Sequence, residues 1–399
     1  MALMKDGQID RLIQVEQRRQ KGVINLIASE NYVSKDVLAA LGSELTNKYA
    51  EGYPGRRYYG GNSVIDEVEK LCQERALKTF GLSSKSWHVN VQPLSGTPAN
   101  MAVYLALLGA DRNKRIMGMS LEQGGHLSHG FKVSATGQIW KQIPYGVDLK
   151  TERIDYDALK KLAKKERPNI IVAGFTAYPR KVNFKRFREI ADACNAYLHV
   201  DMSHFAGLIA GGEHPSPFRY ADTVMTTVHK TLRGPRSAII WARKDERELG
   251  KAIDRAVFPG LQGGPHMNQI ASVAVALKEA SDPKFKTYAK QVTANAKALA
   301  DELTRLGWKV ISGGTDTHLV LVDTWSPPAG ADTGLPGKDA SDRLEKEGII
   351  VNKNTIPSEG RSPMDPSGIR LGSAAETTRG KKEKDFVRIA QGIDRVLRA

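Results

Sequence analysis

Two apolar runs in the middle of the chain constrain the fold most. Ala196-Tyr197-Leu198-His199-Val200 ends in Asp201, and Thr223-Val224-Met225-Thr226-Thr227-Val228 ends in His229-Lys230. Both are short, apolar and bounded by polar residues, which reads as buried strand. Similar runs at His88–Gln92, Ile170–Phe175 and Ala238–Trp241 alternate with helical patterns from about 88 to 243. That alternation predicts an α/β fold with a mostly parallel sheet. From about Asp282 the pattern changes to a helix, then strands (Trp308–Ile311, His318–Val322), a helix (Lys338–Glu347) and a strand (Ile349–Val351), a smaller α+β unit. The division expected is an N-terminal arm over 1–45, a large domain over 46–280 and a small C-terminal domain over 281–399; a chain of 399 residues is too long for one core.

In an open parallel sheet, ligands sit outside the carboxyl ends of the strands. A carboxylate and a lysine at two such ends suit pyridoxal phosphate (PLP) chemistry. The lysine forms a Schiff base, and the acid keeps the pyridine nitrogen protonated. Taken alone, Asp201 could equally be a helix cap and Lys230 a surface charge.

Other stretches add parts. Ser95-Gly96-Thr97 at a strand-to-helix turn exposes backbone N–H groups at a positive helix end, a phosphate cradle, although no GxxxxGK[ST] loop is present. The loop Asn47–Asn62 packs four Tyr, four Gly, two Arg and one Glu into sixteen residues, the composition of a recognition surface. Leu121–Gly130 carries His126 and His129. A metal reading of that pair lacks a third ligand, and stacking of one imidazole on a planar ring is the better use. Phe258–His266 is rich in Gly and Pro and can bring backbone amides close to an anion. Arg370, flanked by Gly, suits capture of a carboxylate.

Composition excludes several classes. Apolar residues make up 41% and charged residues 26%, with no low-complexity tract and no run long enough to span a membrane. The N-terminal stretch reads as an amphipathic helix with Ile9, Leu12, Ile13 and Val15 on one face, suited to docking on another surface. It has no apolar core or cleavage site of a secretory signal, so a cytoplasmic location is expected. Cys72 and Cys194 fall in no ligand-spaced cluster and read as reduced thiols. The net charge is +15, but its Lys and Arg residues are scattered over mixed-charge helical faces. That argues against a nucleic-acid partner and leaves steering of small polyanions as a use for the charge.

The ordered set NLIASENYVS, NKYAEGYPGRRYYGG, VQPLSGTPAN, GGHLSHG, VDMSHFAGLIA, TTVHKTLRGPR, VFPGLQGGP, VNKNTIP and SGIRLG, spread over about 20–395, resembles serine hydroxymethyltransferases. The resemblance implies a fold-type-I PLP enzyme and a homodimer, with a tetramer open, whose active sites draw on both subunits. The implied reaction converts L-serine and tetrahydrofolate to glycine and 5,10-methylenetetrahydrofolate. By motif, Lys230 would hold PLP, Asp201 would pair with the pyridine nitrogen, His126 would stack on the ring, and His204 would contact the ring's phenolic oxygen or the substrate. Ser95, Gly96 and Thr97 would hold the phosphate, with Gly263 and Gly264 from the other subunit. Thr227 and Arg236 would line the pocket, and Ser29 and Arg370 would bind the amino-acid carboxylate. Glu51, Tyr49 and Tyr59, also from the other subunit, would handle proton transfer at the hydroxymethyl group. Folate would lie against Tyr58, Leu121, Gly125, Leu127, Asn354 and the Ser362-Pro363 turn.

Some residues depart from the family pattern: Gln123, Thr97, Met364, Ser373-Ala374, Ser237 and Val228, and a longer loop over Thr324–Lys338. They bear on folate binding and leave the PLP groups intact. The rival reading is a folate-independent threonine aldolase of the same fold, which would not need YAEGYPGRRYYGG or VNKNTIP.

Overall fold

The computed structural model describes residues 5–328 and 333–399. The first four residues of the arm and residues 329–332 of the Thr324–Lys338 loop lie outside the described residues.

The apolar runs form a seven-stranded sheet. Its spatial order is Trp87–Asn90, Ala238–Arg243, Thr223–Thr227, Tyr197–Asp201, Ile170–Gly174, Arg115–Met119, Lys141–Tyr145. The last five are mutually parallel, and Ala238–Arg243 runs antiparallel to both neighbours. The five interior strands are buried on both faces, as continuous apolar runs require, while the edge strand Lys141–Tyr145 exposes Lys141 and Pro144. Ile171, Ala173, Leu198, Val200 and Val224 point into one core under the helices Ser63–Thr79 and Met267–Ala280. Ile116, Ile170, Val172, Met225 and Ile240 point into the other, under Gly96–Leu108 and Leu249–Arg255.

The register sets the site. His199 lies opposite Thr223 and Asp201 opposite Met225, so both strands deliver their last residues to one sheet edge. Gly174 lies opposite Asp201, and a Cβ there would stand 2.7 Å from the Asp201 Cβ and 3.1 Å from His129. Only glycine lets the carboxylate and the imidazole approach across that strand.

The C-terminal part has a four-stranded antiparallel sheet in the order Lys309–Val310, Leu319–Asp323, Gly368–Gly372, Asn352–Asn354. The helix Pro283–Arg305 joins the two parts. Its first half buries Phe285, Tyr288 and Val292 in the large core, its second half Leu299 and Leu303 in the smaller one.

After the N-terminal helix, the run Ile24–Asn31 pairs as a strand only over Ile24–Asn25, against Ile349–Ile350. The Asn25 side chain accepts from Ile27 N–H at 3.0 Å and donates to Glu30 at 2.9 Å, which turns the backbone out of the strand. Leu26 then drops into the C-terminal core, fully buried, a contribution of roughly 2 kcal/mol. The loop at 47–62 contains a hairpin, Gly52–Tyr53 against Arg56–Arg57. Gly52 has φ +94°, and a Cβ there would fall 2.3 Å from the Arg56 carbonyl. The Gly- and Pro-rich stretch begins inside a kinked helical turn over Ala256–Leu261.

Helix Gly7–Gly22 is capped by Asp6 but buries none of its residues, and Ile9, Leu12, Ile13 and Val15 remain exposed.

Candidate active site

Lys230 lies against a cavity of about 340 Å³ at the carboxyl ends of the central strands. Ser29, Ser95, Gly96, Thr97, His126, Asp201, His204, Thr227, Arg236 and Arg370 all line it. Residues spread over more than three hundred positions therefore converge on one volume.

The helix Gly96–Leu108 points its N-terminus at this cavity. Ser95 occupies the cap position, yet its side chain makes no capping bond, and Pro98 has no N–H. The N–H groups of Gly96 and Thr97 and the Ser95 hydroxyl are therefore left for an anion. Thr227 faces them: its methyl would stand 2.7 Å from a Cβ on Gly96, and its buried hydroxyl has no protein partner among the described residues.

Asp201 is held from three sides. Oδ1 accepts from Ser203 N–H at 3.0 Å; Oδ2 accepts from Asn100 Nδ2 at 3.0 Å and from His129 Nε2 at 3.1 Å. Burial pushes the carboxyl up, but the hydrogen bond and charge of His129 and the charge of Lys230 win, and it stays well below the usual carboxylate range. An ionised buried carboxylate at the end of a strand is what a protonated pyridine nitrogen needs opposite it. Asn100 is fixed in turn: Oδ1 accepts from His199 Nε2 at 2.9 Å, and His199 Nδ1 meets the Thr223 hydroxyl at 2.9 Å.

His126 Nδ1 accepts from Ser128 N–H at 3.2 Å and pairs with the Ser128 hydroxyl at 2.7 Å. Burial and the neighbouring His129 push its pKa down to about 4, leaving a neutral ring suited to stacking. Lys230 is pushed down to about 8, first by burial and then by Arg370 and Arg236, against the opposing pull of Asp201. A lysine that loses its proton near neutrality can act as a nucleophile. Arg370 donates Nη1 to the Thr176 carbonyl at 2.7 Å and Nε to Asn352 at 3.0 Å, which leaves its far edge for a carboxylate.

The remaining candidates lie elsewhere on the chain. Tyr49 OH is 3.3 Å from Glu51 Oε1, and the rings of Tyr49 and Tyr58 both meet Tyr59 edge-on. The Glu51 charge pushes the Tyr59 phenol upward. Gly263 and Gly264 pack against this group, with Cβ positions 3.2 Å from Glu51 and from Tyr49. None of these residues lines the Lys230 cavity of the same chain. Their backbone is nonetheless fixed. Arg57 Nη1 donates to the carbonyls of Ala50 and Gly52, on either side of Glu51, at 2.9 Å each. Its other end pairs with Glu69 at 2.6 Å and Asp66 at 2.8 Å. The expected folate residues also fall outside the cavity lining: Tyr58 and Leu127 are exposed, Asn354 sits on the edge strand of the small sheet, and Ser362 and Pro363 lie in an exposed turn.

A family model of serine hydroxymethyltransferase matches residues 3–393. A serine hydroxymethyltransferase of Acidothermus cellulolyticus is 51% identical over 394 residues, covering 99% of this chain and 89% of that protein. The chain belongs to the serine hydroxymethyltransferase family. It is a fold-type-I PLP-dependent transferase, and the family uses tetrahydrofolate as co-substrate. The cavity fits that cofactor on its own chemistry, through an ionised buried acid, a lysine near neutrality, an unpartnered buried hydroxyl and free amides at a helix end.

Sequence reasoning missed the groups that orient this machinery. Asn100, His129 and Asn352 all stand inside quoted motifs, but no spacing rule names their partners. His129 was the unused half of the HxxH pair, and its second nitrogen on Asp201 is its role. Gln123, a departure from the family pattern, accepts from Val147 N–H at 2.7 Å and ties the loop before His126 to the next strand end.

Proposed function

We propose that this chain is the catalytic subunit of a cytoplasmic homodimer that moves the hydroxymethyl carbon of L-serine onto tetrahydrofolate, releasing glycine. Bound in the Lys230 cavity, PLP supplies the electron sink that lets the serine Cα–Cβ bond break. The chain's own residues do the rest. Asp201 holds positive charge at the pyridine nitrogen. Ser95, the Gly96 and Thr97 amides and Thr227 hold the phosphate, with Arg236 at the rim. His126 covers the ring face. Ser29 and Arg370 would hold the amino-acid carboxylate and so orient the substrate.

Proton transfer at the serine hydroxyl needs a carboxyl group beside it. Glu51 with Tyr49 and Tyr59 supplies it from the other subunit, and Gly263 and Gly264 of that subunit close the phosphate end. The cavity of one chain lacks these groups, while the same chain displays them on an exposed aromatic surface; this supports a shared site. Tyr58, Leu121, Gly125, Leu127, Asn354 and the Ser362-Pro363 turn form the folate wall in this reading.

The observation that carries the reading is the pairing of an ionised, triply hydrogen-bonded Asp201 with Lys230 across one cavity. The test is to load the purified protein with PLP, then add glycine and tetrahydrofolate in turn, recording the visible spectrum. A new long-wavelength band that requires folate is expected. A protein that binds no PLP ends the reading, and a band that ignores folate favours the aldolase alternative.

A further inference from the structure

His318 is a buried histidine that the functional reading does not use. It immediately precedes the strand Leu319–Asp323, does not line the cavity, and is 1% exposed. Its backbone carbonyl accepts from Ser373 N–H at 2.9 Å, so its position is tied to the strand that carries Arg370. Its Nε2 lies 3.2 Å from the Ala28 carbonyl and 3.3 Å from His204 Nδ1. Its Nδ1 is buried and has no protein partner among the described residues.

These contacts fix protons in sequence. A carbonyl only accepts, so His318 Nε2 must carry the hydrogen, and Nδ1 is bare. That single N–H faces both Ala28 O and His204 Nδ1, so His204 Nδ1 must accept. His204 then carries its own hydrogen on Nε2. That nitrogen has no protein partner among the described residues, yet it is absent from the buried unpaired atoms, so it opens on the cavity. Protonating His204 would set an N–H against an N–H. Burial, followed by the positive Lys230 and Arg370 and by His318 and His126, also disfavours that charge. His318 is likewise kept neutral, by burial first and then by Arg370.

We propose that His318 is a positioning residue that locks His204 into the Nε2–H tautomer, so that His204 presents a donor, never an acceptor, to the phenolic oxygen of the cofactor or to the substrate. The same N–H anchors the Ala28 carbonyl and hence the adjacent Ser29. What His204 donates to rests on the PLP reading above; the tautomer does not.

Neutron diffraction from deuterium-exchanged crystals of the cofactor-free protein tests the lock directly. Deuterium is expected on His204 Nε2 and His318 Nε2, with both Nδ1 atoms bare. Deuterium on His204 Nδ1 would overturn the proposal. Two variants extend the test. His318→Phe keeps the ring and removes the donor; His318→Gln restores an N–H near the original one. In ¹⁵N-histidine spectra of the apoproteins, the wild type and His318→Gln should show one His204 tautomer and His318→Phe a mixture. With PLP bound, His318→Phe should lose about tenfold in kcat/KM, the effect of one neutral hydrogen bond, and His318→Gln should recover most of it. A single Nε2–H tautomer in His318→Phe would sink the proposal. If His318→Phe does not fold, the neutron map and the His318→Gln spectra still decide. A wild type that binds no PLP would defeat the functional reading while leaving the tautomer result standing.

Discussion

In the Lys230 cavity Asp201, His126, His204 and Arg370 are oriented by protein before any ligand arrives, whereas the loop carrying Glu51 fixes its backbone and leaves its side chains outside. Asp201 has three donors, His126 two, and Arg370 two acceptors. On the loop, Tyr49, Tyr58 and Tyr59 are 56%, 79% and 46% exposed, while the side chain of Arg57, which grips the backbone beneath them, is buried. The first arrangement is a finished half-site. The second is a rigid display of aromatic and acidic groups that has no cavity of its own, the kind of exposed patch that marks an interface. The contrast supports the proposal that one chain carries complementary halves of two sites.

The largest effects should come from breaking one half at a time. Lys230→Ala should lose the bound chromophore and turnover together. Glu51→Gln should lower kcat by about 10²–10⁴-fold while leaving the chromophore intact, because the loop is not part of the cofactor cavity. Refolding the two variants together gives a decisive comparison. A mixed dimer has one site with both lesions and one with neither, so an equal mixture should regain roughly a quarter of wild-type turnover. No recovery would mean that both halves serve the same chain's site.

Next in size is the base of the loop. Glu69 is fully buried beside Arg57 and also accepts from Gln92 at 2.9 Å. Arg57→Ala should destabilise the protein by about 3–5 kcal/mol, since it strands a buried carboxylate, as chemical denaturation would show. Arg57→Lys keeps the charge but cannot hold the Ala50 and Gly52 carbonyls and both acids at once. It should lower kcat at unchanged cofactor affinity; a change in affinity alone would contradict the separation of the two regions.

The cavity has its own pH signature. The unfolded chain keeps the Lys230 proton up to the ordinary 10.5, whereas the folded apoprotein releases it near 8. Between those values the unfolded state binds more protons, so stability rises with pH through that window, by up to roughly 3 kcal/mol. Below pH 8 both states are protonated and this slope disappears. Lys230→Met should lack the slope, as denaturation midpoints of the two apoproteins from about pH 7.5 to about pH 10 would show.

The difference between the regions also explains what was legible in the sequence. Strand ends, a helix start and glycine-flanked turns are local signals, so Asp201, Lys230, Ser95–Thr97 and Arg370 could be picked out, and the parallel sheet followed from alternation. The groups that orient them could not. Asn100 meets Asp201 across 101 positions, His318 meets His204 across 114, and Arg370 meets Thr176 across 194. No local pattern encodes such pairings; they exist only once the register between strands is set. The hairpin at 52–57 was hidden for another reason. Its composition signalled a loop, but the Gly52 carbonyl is gripped by the Arg57 side chain on the facing strand and by Gln92, forty positions away.

The smallest effect should be the most diagnostic of a half-site prepared for a ligand. The buried Thr227 hydroxyl makes no hydrogen bond to protein among the described residues. An unpaired buried hydroxyl costs about 1–3 kcal/mol, and valine has nearly the same shape without it. Thr227→Val should therefore leave the apoprotein as stable or raise its stability by about 1 kcal/mol. The same change should weaken PLP binding by roughly tenfold, because the hydroxyl is paired only when the phosphate is present. Opposite signs in the two states, read by thermal denaturation without cofactor and by PLP titration, would establish that the hydroxyl is kept for the ligand. A loss in both states would make it an ordinary part of the core, and the cavity would be less like a finished half-site than its hydrogen bonds imply.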